Sequence, residues 1–416
     1  MADIQGVMEG SAQWLFGHQD PTTGGWADQV GRPPSILNTA EAMIALLDGK
    51  AAPAGDARIQ RAAQFLLGDR ATEGHDRGAW FREVAGDPKV PRKVADMVRT
   101  SFAVEALVKA GRSVESDEVR SAVEWLFTIR NKDNGWAYSR GSASALMPTV
   151  FALTGLLEAR RVDGRRSEEA ITRSLDYLVR TYRKNDGSFG EAGPLQAVHT
   201  IYAGLVIQAA RKAHLSVYSR EEKTAIEWLL AHPDDARKLV EEEVTIDPAN
   251  KGGNYGFLFV TDSLLIKLLS NSEYSEHVRS RLAQDAMLGL KDRLDSSGGF
   301  YGYRVFSWST AKVLSALSAA SADYREFPTR RPEYTGPKAG GWVLGFAVLL
   351  SGFGVYLEVQ SKFDLQVMVL FVFLMLAALL AYGKIGEKSF KELVKVDLGL
   401  LGGGKSARER DKSDDD

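Results

Sequence analysis

The chain has 416 residues with 52 Lys+Arg against 54 Asp+Glu, a formal charge of −2, so no excess of basic residues points to a nucleic-acid partner. It contains no cysteine, which excludes disulfide frameworks, thiolate zinc sites, iron–sulfur clusters, cysteine nucleophiles and thioesters. With 44% hydrophobic and 25% charged residues, it can bury a large core and is not a disordered chain.

Residues 1–10 include Asp3 and Glu9 and lack the apolar core of a signal peptide, so export by the ordinary route is not expected. From there to about residue 325 the sequence repeats itself. An aromatic or Met followed by Leu recurs at Trp14-Leu15, Phe65-Leu66, Trp125-Leu126, Tyr177-Leu178, Trp228-Leu229 and Met287-Leu288. Each pair leads into a turn rich in Gly, Asn and Asp that closes on one aromatic: Trp26, Trp80, Trp136, Phe189, Tyr255 and Phe300. A helix then begins and carries a threonine, at Thr39, Thr100, Thr149, Thr200, Thr261 and Thr310.

The two helices of each unit differ in pattern. Residues 121–130 place Ala122, Val123, Trp125, Leu126 and Ile129 on one face, with Arg120, Glu124 and Arg130 elsewhere, which describes an amphipathic outer helix. Residues 148–157 are apolar almost all round, as expected for a helix packed on every side. Six such pairs predict two concentric rings, an all-α (α/α)6 toroid of six helix-pair repeats over residues 1–325. Strand signals are few, and Pro and Gly fall in the connecting turns.

The first unit reads AQWLFGHQDPTTGGW from Ala12 to Trp26. In this it resembles the terpenoid cyclase and protein prenyltransferase (squalene cyclase-like) toroid family, whose repeat joins an outer helix ending in aromatic-Leu and Gln to a Gly-rich turn with an aromatic. Only this unit has the glutamine, Gln19; the later units hold Arg70, Arg130, Tyr182, Pro233 and Asp292 there. The resemblance implies the fold and an apolar ligand. It also implies motifs that the toroid lacks. Members that cyclise squalene-like chains carry Asp-x-Asp-Asp, absent here. The prenyltransferases hold zinc with Asp, Cys and His, and Cys is missing. The aspartate-rich magnesium motif of ionising synthases has no counterpart either, since Asp234-Asp235 is a lone pair. No metal or cofactor is expected.

The polar residues left at the starts of the inner helices are Asn38, Asp96, Arg99, His199, Asp262 and Trp308. A buried polar group there is either paired or faces a cavity, so these six are the candidate cavity residues. Four of them also have a structural reading. Asp96 and Arg99 are spaced as an ion pair, Asp262 can cap its helix, and His199 has no partner evident in the sequence. The acidic run Glu241, Glu242, Glu243 and Asp247, ahead of residues 251–256, reads as a solvated loop or as an acidic lid at one mouth of the barrel.

Beyond a linker at 326–338, residues 339–357 and 365–383 contain no charged residue. At 1.5 Å per residue each gives roughly 28 Å of helix, enough to cross a bilayer core. A transmembrane hairpin is predicted over 339–383. Arg325, Arg330, Arg331 and Lys338 precede it and Lys384, Lys388, Lys391 and Lys395 follow it, whereas its connector has only Lys362. The excess of Lys and Arg places the toroid and the tail in the cytoplasm. Residues 384–401 can form an amphipathic juxtamembrane helix, and 402–416 read as a disordered charged tail.

Three functions fit the sequence: a membrane-anchored toroid that binds a lipid, peptide or protein without the family's catalytic motifs; an enzyme acting on a membrane isoprenoid or other lipid; and a carbohydrate-active α/α barrel, which needs two facing carboxylates, for which Asp96 and Asp262 would have to meet across the cavity.

Overall fold

A computed structural model of the chain describes residues 3–329 apart from 30, 85–91, 248–251, 272–276, 278–279 and 302–305, with backbone only at 83–84, 92, 243–247 and 252–258. The chain divides into two units, Met1–Arg330 and Arg331–Asp416. Among the described residues no helix is long and apolar enough to cross a membrane. The predicted hairpin at 339–383 and the segments at 384–401 and 402–416 lie outside the described residues.

Six helices form the inner ring: α2 (Ile36–Asp48), α4 (Met97–Lys109), α6 (Leu146–Glu158), α8 (Gln196–Lys212), α11 (Thr261–Ser270) and α13 (Ser307–Ala320). Each packs on the next, and α13 packs back on α2, so the ring is closed. Six more lie outside it: α1 (Ile4–Gly17), α3 (Ala57–Gly68), α5 (Asp117–Thr128), α7 (Gly164–Tyr182), α9 (Ser219–Ala231) and α12 (Arg281–Asp292). The outer helices α3, α5, α7, α9 and α12 pack on α2, α4, α6, α8 and α11 in turn, and α1 packs on α13, so the first helix completes the last unit. A short α10 (Pro233–Ala236) follows α9.

The difference in sequence pattern is a difference in burial. Along α6 eleven of thirteen residues are buried, whereas α7 buries one stripe of Ser167, Ala170, Ile171, Ser174, Leu175 and Leu178 and leaves the rest half-buried or exposed. Side-chain caps start several helices, with Asp3, Ser35, Asp56, Asp96, Ser116 and Ser280 accepting from first-turn amides.

The repeated motif is a lock between the rings. Trp26, Trp80 and Trp136 are fully buried, and their indole Nε1 atoms donate to the carbonyls of Leu15, Leu66 and Leu126 at 2.7, 2.6 and 2.9 Å. These carbonyls belong to the leucine of the aromatic-Leu pair, at a helix C-terminus that needs such donors. The repeated threonine secures the other side: the Oγ1 atoms of Thr39, Thr100, Thr149, Thr200 and Thr310 accept from the backbone N–H of Trp26, Trp80, Trp136, Phe189 and Phe300 at 2.9–3.1 Å.

Glycine permits the turn to lie against the next outer helix. At Gly78 (φ 94°) a Cβ would sit 2.2 Å from the Ser121 carbonyl oxygen, and at Gly298 (φ 93°) it would meet Gly10 of α1 at 2.9 Å. The latter contact closes the ring, together with the hydrogen bond from Ile4 N–H to the Arg325 carbonyl at 3.0 Å. Gln19 acts in the same way, donating to the carbonyls of Gly24 and of Arg58 in α3. At the matching place Arg70 reaches the Ser121 hydroxyl of α5.

The chain is mostly helical but not all-α. β1 (Trp80–Val84) pairs antiparallel with β2 (Arg92–Asp96), and β3 (Val240–Asp247) with β4 (Gly252–Phe259). The acidic run is therefore half of a hairpin rather than a loop. Val240 pairs with Phe259, Val244 with Tyr255 and Thr245 with Asn254, and these β-branched residues, with Ile246 and the Phe257–Leu258–Phe259 run, satisfy strand preferences that the charge count had masked. In this unit Thr261 donates to the Lys238 carbonyl instead, and Tyr255 belongs to β4, so the fifth copy of the turn-aromatic lock is replaced by the hairpin.

Candidate functional site

The inner helices enclose a cavity of about 380 Å³. Two residues beyond each repeated threonine comes a wall residue: Glu41, Phe102, Phe151, Tyr202, Ser263 and Lys312 all line it. Further along the same helices Glu105, then Asp48, Lys109 and Glu158, face it too, so the cavity occupies the middle and C-terminal half of the ring.

The wall has an apolar arc and an ionic arc. Phe102 and Phe151 lie 5.6 Å apart, Phe151 and Tyr202 5.7 Å, and Tyr202 and Phe259 5.7 Å, so aromatic rings run continuously from α4 across α6 and α8 to the end of β4. Facing them, Lys312 Nζ is 3.0 Å from Glu41 Oε1 and 5.0 Å from the centre of the Phe102 ring. Burial by itself would lower the Lys312 pKa, yet Glu41 beside it holds the ammonium charged and raises it.

Nearer the C-terminal end, Lys109 Nζ stands 2.8 Å from Asp48, 3.4 Å from Glu158 and 4.0 Å from Glu105. Burial pushes the Glu105 carboxyl up to about 7, against the pull of Lys109 and Lys267, so it titrates near neutrality. Lys267 donates to the Ser315 hydroxyl at 3.1 Å and is 3.7 Å from Asp48. Lys212 donates to Asn271 Oδ1 at 3.0 Å and has no carboxylate within ion-pair distance among the described residues. Desolvation, with Arg211 and Lys267 nearby, lowers its pKa even though Glu222 opposes the shift.

None of the six residues singled out in the sequence is among those that line this cavity. Asp96, 2% exposed, caps α4 and lies 3.2 Å from Arg82 and 3.4 Å from Arg99. Asn38 donates to its own cap, the Ser35 hydroxyl, at 2.8 Å. Trp308 stacks on Phe306 with ring centres 5.4 Å apart. Asp262 is not the cap of α11, which is Val260; it turns to the outer ring, 3.1 Å from Arg237 and against Gly289 of α12. Burial pushes its carboxyl up to about 6. His199 packs on Gly190, with burial holding its imidazole down at about 4 and its Nδ1 without a hydrogen-bond partner among the described residues.

A polar cluster also sits beside the hairpins. Tyr138 donates to Glu242 of β3 at 3.3 Å, and burial raises the pKa of both groups. Among the described residues no three His, Cys, Asp or Glu side chains gather as a metal site.

The cavity residues carry a sequence signal of their own. Glu41, Glu105, Lys267 and Lys312 each interrupt an otherwise apolar inner helix, and their offsets from the repeated threonine bring them to one interior surface.

No protein-family model matches the sequence. A drimenyl diphosphate synthase of Streptantibioticus cattleyicolor is 27% identical over 202 residues, 46% of this chain and 34% of that protein, so the match spans about a third of the relative's length. Among solved structures, the type II terpene cyclase MstE from Scytonema in its apo form superposes with a TM-score of 0.51 at 13% identity, over 77% of this chain and 99% of that one. A variant of the same cyclase in complex with its product, merosterolic acid A, gives 0.50 at 14% identity, over 77% and 97%. An inactive variant of the α-1,6-mannanase GH76A of Salegentibacter sp. HEL1_6, in complex with α-1,6-mannotetrose, gives 0.52 at 10% identity, over 77% and 99%. The chain therefore has the α/α toroid fold, like that of terpenoid cyclases, a fold that carbohydrate-active proteins share.

Proposed function

We propose that this protein is a membrane-anchored ligand-binding toroid, which holds an apolar molecule in the centre of its inner ring. The observation that carries this reading is the cavity itself. The cavity-lining rings of Phe102, Phe151 and Tyr202, with Phe259 packed against Tyr202, offer an apolar surface to a hydrocarbon, and the carboxylates Glu41, Asp48, Glu105 and Glu158 each stand within 4.0 Å of a lysine. Paired charges fix a wall and orient a ligand. The uncharged spans at 339–357 and 365–383 suit delivery of such a ligand from the bilayer, with the toroid on the cytoplasmic side. That the product-bound cyclase variant holds a terpenoid supports an isoprenoid or other lipid as occupant.

Native mass spectrometry of the purified full chain tests the proposal: a co-purifying lipid-sized mass is expected, and an empty barrel refutes it. The orientation is tested with a Phe363→Cys substitution in the cysteine-free background. Labelling from outside the cell is expected, and labelling only from the cytoplasm overturns it.

A second reading, an enzyme acting on a membrane isoprenoid, is favoured by the similarity to a drimenyl diphosphate synthase. Turnover of polyprenyl diphosphates by the purified protein would establish it. The carbohydrate reading cannot use Asp96 and Asp262 as its two facing carboxylates, since neither lines the cavity and both are bound to arginines; it would have to draw on Glu41, Asp48, Glu105 or Glu158, each of which stands beside a lysine.

A further inference from the structure

The rim of the cavity is not electrically uniform. Four carboxylates (Glu41, Asp48, Glu105, Glu158) and four ammonium groups (Lys109, Lys212, Lys267, Lys312) line it, so the wall is neutral when all are ionised. Their pairing is uneven. Lys312 has Glu41 at 3.0 Å and Lys109 has Asp48 at 2.8 Å, whereas Lys267 is 3.7 Å from Asp48, a carboxylate that Lys109 already holds, and feels Glu105 only at longer range. Lys212 bonds the Asn271 amide oxygen and feels Glu222 from beyond ion-pair distance. The under-neutralised cations are therefore neighbours, at the α8–α11 side of the rim, with the Ser315 hydroxyl beside them. The apolar arc begins on the same side, where Tyr202, Leu205, Val206 and Leu264 share α8 and α11 with them.

Extending the ligand-binding reading, on which this rests, we propose that the cavity takes a single-chain carboxylate amphiphile, its head between Lys212 and Lys267 and its chain along the aromatic arc of α4, α6 and α8. A volume of about 380 Å³ lies near the lower end of ligand cavities and accommodates one chain rather than the two of a phospholipid. The charge balance selects the head. One added negative charge can be offset by one proton on the wall; the three of a diphosphate would leave uncompensated charge in a site of low dielectric.

The proton acceptor is Glu105. It faces Asp48 of α2, Lys109 of its own helix, Glu158 of α6, Lys267 of α11 and, more remotely, Lys312 of α13, and α8 contributes Lys212 and the neutral Gln208 to the same cavity. Binding of a carboxylate then brings a proton onto Glu105, and affinity falls as pH rises through neutrality.

The test uses the full chain in nanodiscs with photoreactive dodecanoate, the matching dodecanol and dodecyltrimethylammonium probes, and farnesyl diphosphate as competitor, with labelled peptides mapped by mass spectrometry. Dodecanoate is expected to label α4, α6 and α8 through its chain and to resist farnesyl diphosphate. Lys212→Met and Lys267→Met should each weaken its labelling about tenfold, the worth of a charge-assisted hydrogen bond, with dodecanol labelling unchanged as evidence that the ring is intact. Glu105→Gln should remove the pH dependence between pH 6 and 8, roughly the range in which such a group titrates. Equal labelling by dodecanol or the ammonium probe, displacement by farnesyl diphosphate, or indifference to the lysine substitutions overturns the carboxylate assignment and leaves the cavity reading standing. If no probe labels an inner helix, both fall.

Discussion

The two ends of the inner ring are built on opposite rules. At the N-terminal ends of α2, α4, α6, α8 and α13 the same parts recur: a buried turn aromatic, a threonine that holds its N–H, and, in the first three units, an indole bonded to the preceding outer helix. On the cavity wall that begins just past the threonine nothing recurs. The Thr-plus-two position alone is Glu41, Phe102, Phe151, Tyr202, Ser263 and Lys312 in successive helices. Repetition marks what every unit needs in order to pack on its neighbour, and variation on a fixed geometric position marks the surface that meets a ligand.

Substitutions that separate the two ends sharpen this contrast. The largest effect is expected at the repeating end: Trp80→Ala empties a fully buried site and leaves the Leu66 carbonyl unbonded, costing about 3–5 kcal/mol in chemical denaturation. Lys312→Met, at the varying end, should cost about 3 kcal/mol by stranding Glu41 in the cavity. The double change Glu41→Gln with Lys312→Met should recover most of it, whereas no second substitution of that kind rescues Trp80→Ala. If Lys312→Met is neutral, the wall is wet and the contrast weakens.

Gly78→Ala should lose about 2 kcal/mol, because it combines a left-handed backbone with a Cβ pressed on Ser121. Thr200→Val should lose about 1 kcal/mol through the orphaned Phe189 amide.

The remaining effects are read in pH. His199, held down at about 4 by burial, binds fewer protons folded than unfolded. Its contribution is complete above the free-histidine pKa of about 6.5 and is lost as pH falls toward 4. His199→Gln should flatten that limb of the melting curve. Asp262, raised to about 6, has the opposite sign: stability is fullest below about pH 4 and falls as pH rises through 6. Asp262→Asn should remove that slope.

Much of the architecture was legible because it is written in short-range pattern. Outer and inner helices differ in how far around the helix their apolar residues extend, and α6 and α7 show this directly. The hairpins were less legible, since four acidic residues in 241–247 hide the strand alternation. The candidate residues at the helix starts illustrate a different limit. Asp96, Asn38 and Asp262 are polar and inward in sequence, but caps and arginines absorb them. Whether a buried polar group faces a partner or a cavity depends on residues far away in the chain, Arg82 and Arg237 among them.

By itself the sequence determined the number of units, the order of helices and the fully buried aromatics, because each follows from contacts within a unit or with the next one. Only the tertiary structure decided where the cavity lies and which charges share it. Lys109 meets Asp48 of α2 and Glu158 of α6, and Lys312 meets Glu41 across the closure of the ring. Such partners are fixed by closing a circle of six helices, a condition that no local pattern encodes.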